Sequence, residues 1–251
     1  MRTRREAAFL FDMDGVVCDN MPAHVEAWRR FLRGLGIGID LRDFLKNTMG
    51  RTTRDVLAYY LKRPVGPGEA ARLSDAKESL YRGLYGPRRR AAPGLRSFLR
   101  AARSEGLRLG LGTGSRGENV AFILDGLKLR ASFDAVVDGG DVEKGKPDPE
   151  TFLRLAERLR VSPRDCVVFE DSLLGAEAAR RAGMRLVAVT SSHRARDFKR
   201  AALAVRDFRG LEVARVLALS LAFERNGALR RQGFRPTASG RKPSNTLPLA
   251  W

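Results

Sequence analysis

The stretch that decides the fold is Ala7-Ala8-Phe9-Leu10-Phe11-Asp12-Met13-Asp14-Gly15, near the start of a chain of 251 residues. Its apolar half has the length and composition of a buried β-strand, and the strand ends at once in a polar turn. Residues two apart on an extended chain point the same way, so Asp12 and Asp14 face one place. A magnesium ion with oxygen ligands would relieve their repulsion and leave one oxygen free to attack phosphorus.

Apolar runs of strand length recur further along the chain and alternate with helical patterns. This alternation predicts an α/β protein with a parallel, Rossmann-like sheet. The runs cover residues 108–112, 135–137, 166–169 and 186–189, with 202–205 as a further candidate.

Residues 22–85 have helical periodicity instead, with Val25, Trp28, Phe31, Leu32 and Leu35 at spacings of three and four. They predict a helical insert within the α/β unit. We therefore divide the chain into a core (1–18 and 88–225), a helical cap (19–87) and a tail (226–251). Residues 211–223 are expected to form a closing helix. The tail is basic, lacks acidic residues and is expected to be disordered.

Polar residues follow each predicted strand, at the sheet edge where parallel sheets bind their ligands. The turn Gly112-Thr113-Gly114-Ser115 offers backbone N–H groups and hydroxyls to phosphoryl oxygens. Lys146 precedes a proline-rich turn and could neutralise both a nucleophile and a phosphate. Glu170 and Asp171 are adjacent and face opposite ways, so one is expected to reach a metal directly and the other through water.

Each of these elements has an ordinary explanation when taken singly, such as a solvated loop, a helix cap or a surface charge. The segment 112–117 also matches the GxGxxG pattern of dinucleotide sites, with Asp138 as a possible ribose ligand. That interpretation leaves Asp12, Asp14 and Lys146 unexplained, and the match follows the second strand instead of the first. A dinucleotide enzyme is therefore not favoured.

Taken together and in this order, the segments 11–17, 112–115, 145–149 and 169–172 resemble the four motifs of the haloacid dehalogenase superfamily. The resemblance covers about residues 7–222. Within the superfamily, the chain is similar to the subgroup that contains β-phosphoglucomutase and small-metabolite phosphatases, which carries its cap where the helical insert lies. Asp14 favours phosphate chemistry, because dehalogenases and phosphonate-cleaving relatives lack this second carboxylate.

The resemblance implies a role for each matched residue. Asp12 would be the nucleophile that forms an aspartyl phosphate, and Asp14 would be the general acid and base. The phosphoryl group would be bound by Thr113, Gly114, Ser115 and Lys146. A Mg²⁺ cofactor would be held by Asp12, Asp14 through its carbonyl, Asp171, and Glu170 directly or through water. The cap residues implied to contact substrate are His24, Arg51, Arg54 and Lys77.

The cap departs from the mutase pattern in the segment 50–54. Thr53 stands where the mutase has the arginine that grips a distal phosphate, with Arg51 and Arg54 on either side. A mutase needs that second phosphate site, whereas a phosphatase needs one site and an admitted water. The sequence thus favours a phosphatase acting on a small phosphorylated metabolite such as a sugar phosphate. A β-phosphoglucomutase-type phosphohexomutase is the alternative.

The composition bears on partners and location. The net charge is +18, but the basic residues are scattered and no nucleic-acid-binding motif accompanies them. Nucleic acid is thus not expected as a main partner, although a basic binding protein on an inactive scaffold remains the alternative of another class. Two cysteines and no apolar run of about 20 residues predict reduced thiols, no membrane span and a cytoplasmic location. The sequence leaves the substrate and the oligomeric state open.

Overall fold

The computed structural model describes residues 7–48 and 51–219. Six parallel strands form one sheet in the order β3-β2-β1-β4-β5-β6, which confirms the predicted α/β class. The strands are β1 (Ala8–Phe11), β2 (Arg108–Gly112), β3 (Ala135–Val137), β4 (Cys166–Glu170), β5 (Arg185–Val189) and β6 (Leu203–Val205). Because β1 pairs with both β2 and β4, it lies in the middle of the sheet and is buried along its whole length.

Besides the helical residues 213–219, eight α-helices accompany these strands in the described part of the chain. They are α1 (Met21–Gly34), α2 (Leu41–Asn47), α3 (Thr53–Leu61), α4 (Pro67–Tyr85), α5 (Leu95–Ser104), α6 (Gly117–Gly126), α7 (Glu150–Leu159) and α8 (Leu173–Arg181). Alternate residues of β1 face opposite sides of the sheet, as strand geometry requires. Phe9 and Phe11 pack with α5 and α6, while Ala8 and Leu10 pack with α7 and α8.

The helical insert consists of α1 to α4, between β1 and α5. It has a small core of its own around Trp28, Leu32 and Leu57. The last two turns of α4 also pack on the α/β core, because Tyr81 and Tyr85 are buried against it. The periodicity included Leu35 in the buried face, but Leu35 follows the last residue of α1 and is 44% exposed.

The structure describes only part of the elements predicted near the C-terminal end of the sequence. Residues 213–219 are helical, in agreement with the first part of the predicted closing helix, and the rest of it lies outside the described residues, as does the predicted tail 226–251. Both cysteines, Cys18 and Cys166, are buried and free. Among the described residues, every helix is too short or too polar to cross a bilayer.

Five phenylalanines connect the sheet to α5. Phe98 of α5 stacks on Phe9 with ring centroids 5.8 Å apart and contacts Phe169 edge-on at 5.4 Å. Phe11 stacks on Phe169 at 4.6 Å, and Phe208 packs against this group. Aromatic pairs at these distances add to the stability gained from burial. The cluster thus holds β1 and β4 side by side. These two strands lead into the acidic segments 12–14 and 170–171.

We expect Phe98→Ala to lower the free energy of unfolding by about 3–5 kcal/mol, because it leaves a cavity among four other rings. Urea denaturation monitored by circular dichroism measures the change. The matched control is Arg100→Ala on the same helix, whose exposed side chain bonds to Ser97 and should shift stability by less than about 0.5 kcal/mol. Equal losses in the two variants would contradict this account of the cluster.

Candidate active site

The carboxyl end of β1 places Asp12 at the centre of the sheet edge. Its backbone N–H donates to the carbonyl of Phe169 on β4 at 3.0 Å, and only 6% of the residue is exposed. Gly15 then turns the chain with φ of +84°, a conformation that favours glycine. A Cβ at this position would lie 2.0 Å from the Asp171 carboxylate. The glycine therefore lets the first acidic turn approach the last one.

Lys146 joins two of the carboxylates. Its Nζ lies 2.5 Å from Oδ1 of Asp12 and 2.7 Å from Oε1 of Glu170, and its side chain is 8% exposed. Burial alone would lower the pKa of Lys146, but the two carboxylates raise it above its usual value. The lysine is thus a fixed positive charge beside Asp12.

Glu170 is held on both oxygens. Besides the bond from Lys146, Oε2 accepts from the backbone N–H of Ser172 at 2.6 Å. Gly175, on the first turn of α8, makes room for this side chain, since a Cβ there would lie 1.7 Å from Oε1. Each oxygen of Glu170 thus has a hydrogen-bond partner, and a contact to a metal, direct or through water, stays a prediction.

Asp171 is braced by the loop that follows β5. The hydroxyls of Ser191 and Ser192 donate to its Oδ2, and Nδ1 of His193 lies 3.0 Å from its backbone carbonyl. Burial, and then the charge of Glu170, raise the pKa of Asp171 to about 7. The sequence analysis missed these serines, although they follow a predicted strand just as the other polar turns do.

Four carboxylates and one lysine share this edge. Burial raises the pKa of Asp12 well above its usual value, the Lys146 charge opposes that rise, and Glu170, Asp14 and Asp171 add to it. In the described part of the chain, no three His, Cys, Asp or Glu side chains form a ready metal cage. Magnesium needs only one or two carboxylates and keeps waters and phosphate oxygens as its other ligands. The excess negative charge around Asp12 and Asp171 fits such an ion.

Asp14 has different partners from Asp12. It accepts from Ser115 Oγ at 2.6 Å and from Asn20 Nδ2 at 2.5 Å, and Nε2 of His24 lies 3.6 Å away. Burial works to raise the pKa of Asp14, but His24, Ser115 and Asn20 together hold it well below its usual value. Asn20 precedes α1 where a helix cap is expected, yet it makes no side-chain cap bond and serves Asp14 instead.

The turn after β2 carries the predicted phosphate-binding residues. Thr113 is buried, its N–H donates to the carbonyl of Val137, and its hydroxyl accepts from the N–H of Ser115. Gly114 is exposed beside it. The Ser115 hydroxyl donates to Asp14, so Ser115 would have to contact a phosphate through an atom other than this hydroxyl.

A cavity of about 300 Å³ separates this sheet edge from the helical insert. His24, Lys77 and Arg51 border it from the insert, and their contact to a substrate stays a prediction. Arg54 does not reach it: its Nε donates to the carbonyl of Val65 at 3.0 Å, and the residue borders a separate depression. The spacing could not reveal this, because Arg51 and Arg54 flank the start of α3 and face different neighbours.

Comparisons with known proteins agree with this geometry. Residues 6–183 match the family model of haloacid dehalogenase-like hydrolases. The phosphorylated carbohydrates phosphatase of Thermotoga maritima is 34% identical over 187 residues, which cover 72% of this chain and 83% of the relative. The fructose-1-phosphate phosphatase YqaB of Escherichia coli is 34% identical over 201 residues, covering 74% and 97%.

Among solved structures, a crystal structure of β-phosphoglucomutase from Clostridium difficile is similar with a TM-score of 0.78 and 28% identity. The match covers 87% of this chain and 99% of that one. The motifs, the fold and the relatives therefore lead to one conclusion: the chain belongs to the haloacid dehalogenase superfamily, among its β-phosphoglucomutase-like phosphoryl-transfer enzymes.

Proposed function

We propose that the chain is a Mg²⁺-dependent phosphatase that hydrolyses a phosphorylated carbohydrate through an aspartyl phosphate on Asp12. The observation that carries the proposal is the pairing of two unlike carboxylates at the cavity floor. Asp12 is bound by the fixed charge of Lys146, while Asp14 is held by neutral donors and faces the insert. The first suits a nucleophile and the second a proton carrier.

The reaction divides into two displacements at phosphorus. Lys146 contacts Oδ1 of Asp12, so Oδ2 attacks, a bond forms between Oδ2 and phosphorus, and the bond to the sugar oxygen breaks. Asp14 supplies the proton that this oxygen needs to leave. Because its contacts with His24, Ser115 and Asn20 favour the ionised form, Asp14 must take up this proton before the bond breaks. A water then attacks phosphorus, Asp14 takes its proton, and Asp12 is released as a carboxylate together with phosphate. Magnesium bound by Asp12 and Asp171 would offset the charge of the transferring group.

The surroundings of the cavity favour hydrolysis over a mutase reaction. On the insert side Thr53 borders the cavity, and the Lys77 ammonium is already paired with Glu78 at 2.7 Å. Of the described arginines, Arg51 and Arg116 border the cavity, and Arg116 pairs with Asp75. The described residues therefore offer binding groups for one phosphate at Asp12, but they do not offer a comparable set for a second phosphate. A volume of about 300 Å³ suits a monosaccharide phosphate.

The helical insert would act as the cap that excludes bulk water from the cavity, and its helices α1 and α4 supply His24 and Lys77. A cytoplasmic location is consistent with two buried, free thiols. The β-phosphoglucomutase alternative is supported by the structural similarity to that enzyme. A binding protein on an inactive scaffold is disfavoured, because Asp12, Lys146 and Asp171 remain assembled as a site.

We expect Asp12→Asn to reduce phosphate release by at least about a thousandfold, since the amide is a poor nucleophile. The assay measures phosphate released with Mg²⁺ from fructose 1-phosphate and other sugar phosphates, nucleotides and pyrophosphate. Asp125→Asn, an exposed carboxylate paired with Arg130, is the control and should be fully active. Conversion of β-glucose 1-phosphate with a bisphosphate primer, without phosphate release, would show a mutase instead.

The metal proposal predicts a pH-dependent stabilisation. The pKa of Asp171 is raised to about 7, so the folded, metal-free protein binds more protons than the unfolded chain between about pH 4 and 7. Its free energy of unfolding should therefore fall as the pH rises through this range. Magnesium should raise Tm more at pH 8 than at pH 5, and Asp171→Asn should abolish most of the difference. A Mg²⁺ effect equal at both pH values would contradict the assigned ligands.

The two cap arginines give opposite expectations. Arg51→Ala should raise KM for the sugar phosphate about tenfold with little change in kcat, because one charge-assisted contact to substrate is lost. Arg54→Ala should leave both constants unchanged, since Arg54 bonds to Val65 outside the cavity. Steady-state kinetics of both variants decides the matter, and the reverse pattern would show that the insert is arranged differently when substrate binds.

A further inference from the structure

Glu78 of α4 is a buried carboxylate that connects the insert to the core. It is 8% exposed, and its Oε1 lies 2.7 Å from the Lys77 ammonium. Its Oε2 accepts from Nδ2 of Asn119 at 2.7 Å, and Asn119 belongs to α6 of the α/β core. None of the four motifs includes either residue. A single side chain thus links a cap lysine to the core.

The orientation of the Asn119 amide is fixed by a second partner. Its Oδ1 accepts from the guanidinium of Arg82 at 3.0 Å, and a guanidinium can only donate. The amide nitrogen must therefore face Glu78, whose ionised carboxylate can only accept. Asn119 is 2% exposed, so water does not compete for these bonds. The hydrogen bond between Asn119 and Glu78 therefore has a fixed donor and a fixed acceptor.

Lys77 passes the effect of Glu78 to His24. Lys77 is 3% exposed, lies over the Trp28 ring at 5.0 Å and approaches Nδ1 of His24 at 3.0 Å. Burial lowers the pKa of Lys77, and the neighbouring Glu78 charge opposes that fall and favours the ammonium form. An ammonium has only donors, so Nδ1 must present a lone pair and the imidazole proton lies on Nε2.

The Nε2 proton faces the general acid. Nε2 of His24 is 3.6 Å from Oδ1 of Asp14, too long for a hydrogen bond but close enough for one to form after a small movement. His24 cannot turn freely, because its ring stacks on Tyr81 with centroids 3.7 Å apart. The tautomer, and not the ring position, is thus the variable that Glu78 controls.

We propose that Glu78 is a positioning residue for proton transfer: held by Asn119, it keeps Lys77 charged and His24 in the tautomer whose N–H faces Asp14. The inference rests on the phosphatase activity proposed above. Because Glu78 belongs to the insert and Asn119 to the core, the arrangement is complete only when the insert lies against the core. Proton delivery to the leaving sugar oxygen is thereby linked to closure of the cavity.

The leaving group distinguishes this role from a structural one. A sugar alkoxide is a strong base and needs a proton to leave, whereas nitrophenolate leaves without one. For both substrates kcat/KM reports the steps up to the first irreversible one, which is the transfer of phosphate to Asp12. We expect Glu78→Gln to lower kcat/KM about 10–100-fold with fructose 1-phosphate and no more than about threefold with p-nitrophenyl phosphate, since general acid catalysis contributes roughly 10²–10⁴-fold and Glu78 acts on it only through Lys77 and His24.

The matched control is Glu69→Gln, a partly exposed carboxylate on the same helix that pairs with Arg63. It should behave as wild type with both substrates. Equal losses of kcat/KM with both substrates in Glu78→Gln would mean that Glu78 only supports the fold, and the proposal would be wrong. Wild-type protein that releases phosphate from neither substrate would instead remove the proposed function itself.

A second measurement does not depend on activity. The chain has two histidines, so the imidazole ¹⁵N resonances are few, and a His24→Asn variant assigns them. At pH 8 the wild type should show His24 with a proton on Nε2 and a bare Nδ1. Glu78→Gln should shift this population toward the other tautomer, and Glu69→Gln should not. A His24 spectrum that is identical in Glu78→Gln and wild type would overturn the proposal.

Discussion

The concentration of negative charge at one edge of the sheet is the constraint on which the rest of this structure depends. Asp12, Glu170 and Asp171 are each nearly inaccessible to solvent, and Lys146 is the cation that touches the first two. Buried carboxylates that lie close together raise one another's pKa, and they lower the stability of the fold unless nearby cations offset their charge. Under the proposed function, a cation bound at this edge would offset part of this charge.

The fold meets this constraint through strand order and small residues. A parallel sheet with β1 between β2 and β4 brings the ends of the three strands together, so that turns distant in sequence share one edge. The close approach then depends on positions without a side chain. Gly15 yields space to Asp171 and Gly175 yields space to Glu170. The hydroxyls of Ser191 and Ser192 donate hydrogen bonds to the Asp171 carboxylate, which would otherwise be buried with fewer partners.

The strands and the carboxylates at their ends could be predicted from the sequence because they depend on local patterns. An apolar run followed by acidic residues predicts both a strand and a site at its end, as at Phe11-Asp12. Side chains whose partners come from another element could not be predicted. Leu35 shares the spacing of a buried face yet lies beyond its helix, and Arg54 bonds to the carbonyl of Val65 in the segment between α3 and α4. Glu78 has no local signal at all, since its partner Asn119 is 41 residues away.

The core and the insert contribute different partners to Asp12 and Asp14. The core provides the charged Lys146 to Asp12 and the Ser115 hydroxyl to Asp14, while Asn20 and His24 contact Asp14 from the side of the insert. In the proposed mechanism Asp12 stays anionic to attack, and Asp14 gains and loses a proton. A lysine in direct contact with Asp14 would lower the pKa of this carboxylate further than its present partners already do. Lys77 is instead kept one residue away, behind the His24 ring, where its charge sets a tautomer without fixing the carboxylate. This indirect arrangement explains why the buried Lys77 needs a carboxylate of its own, and why that carboxylate is anchored in the core.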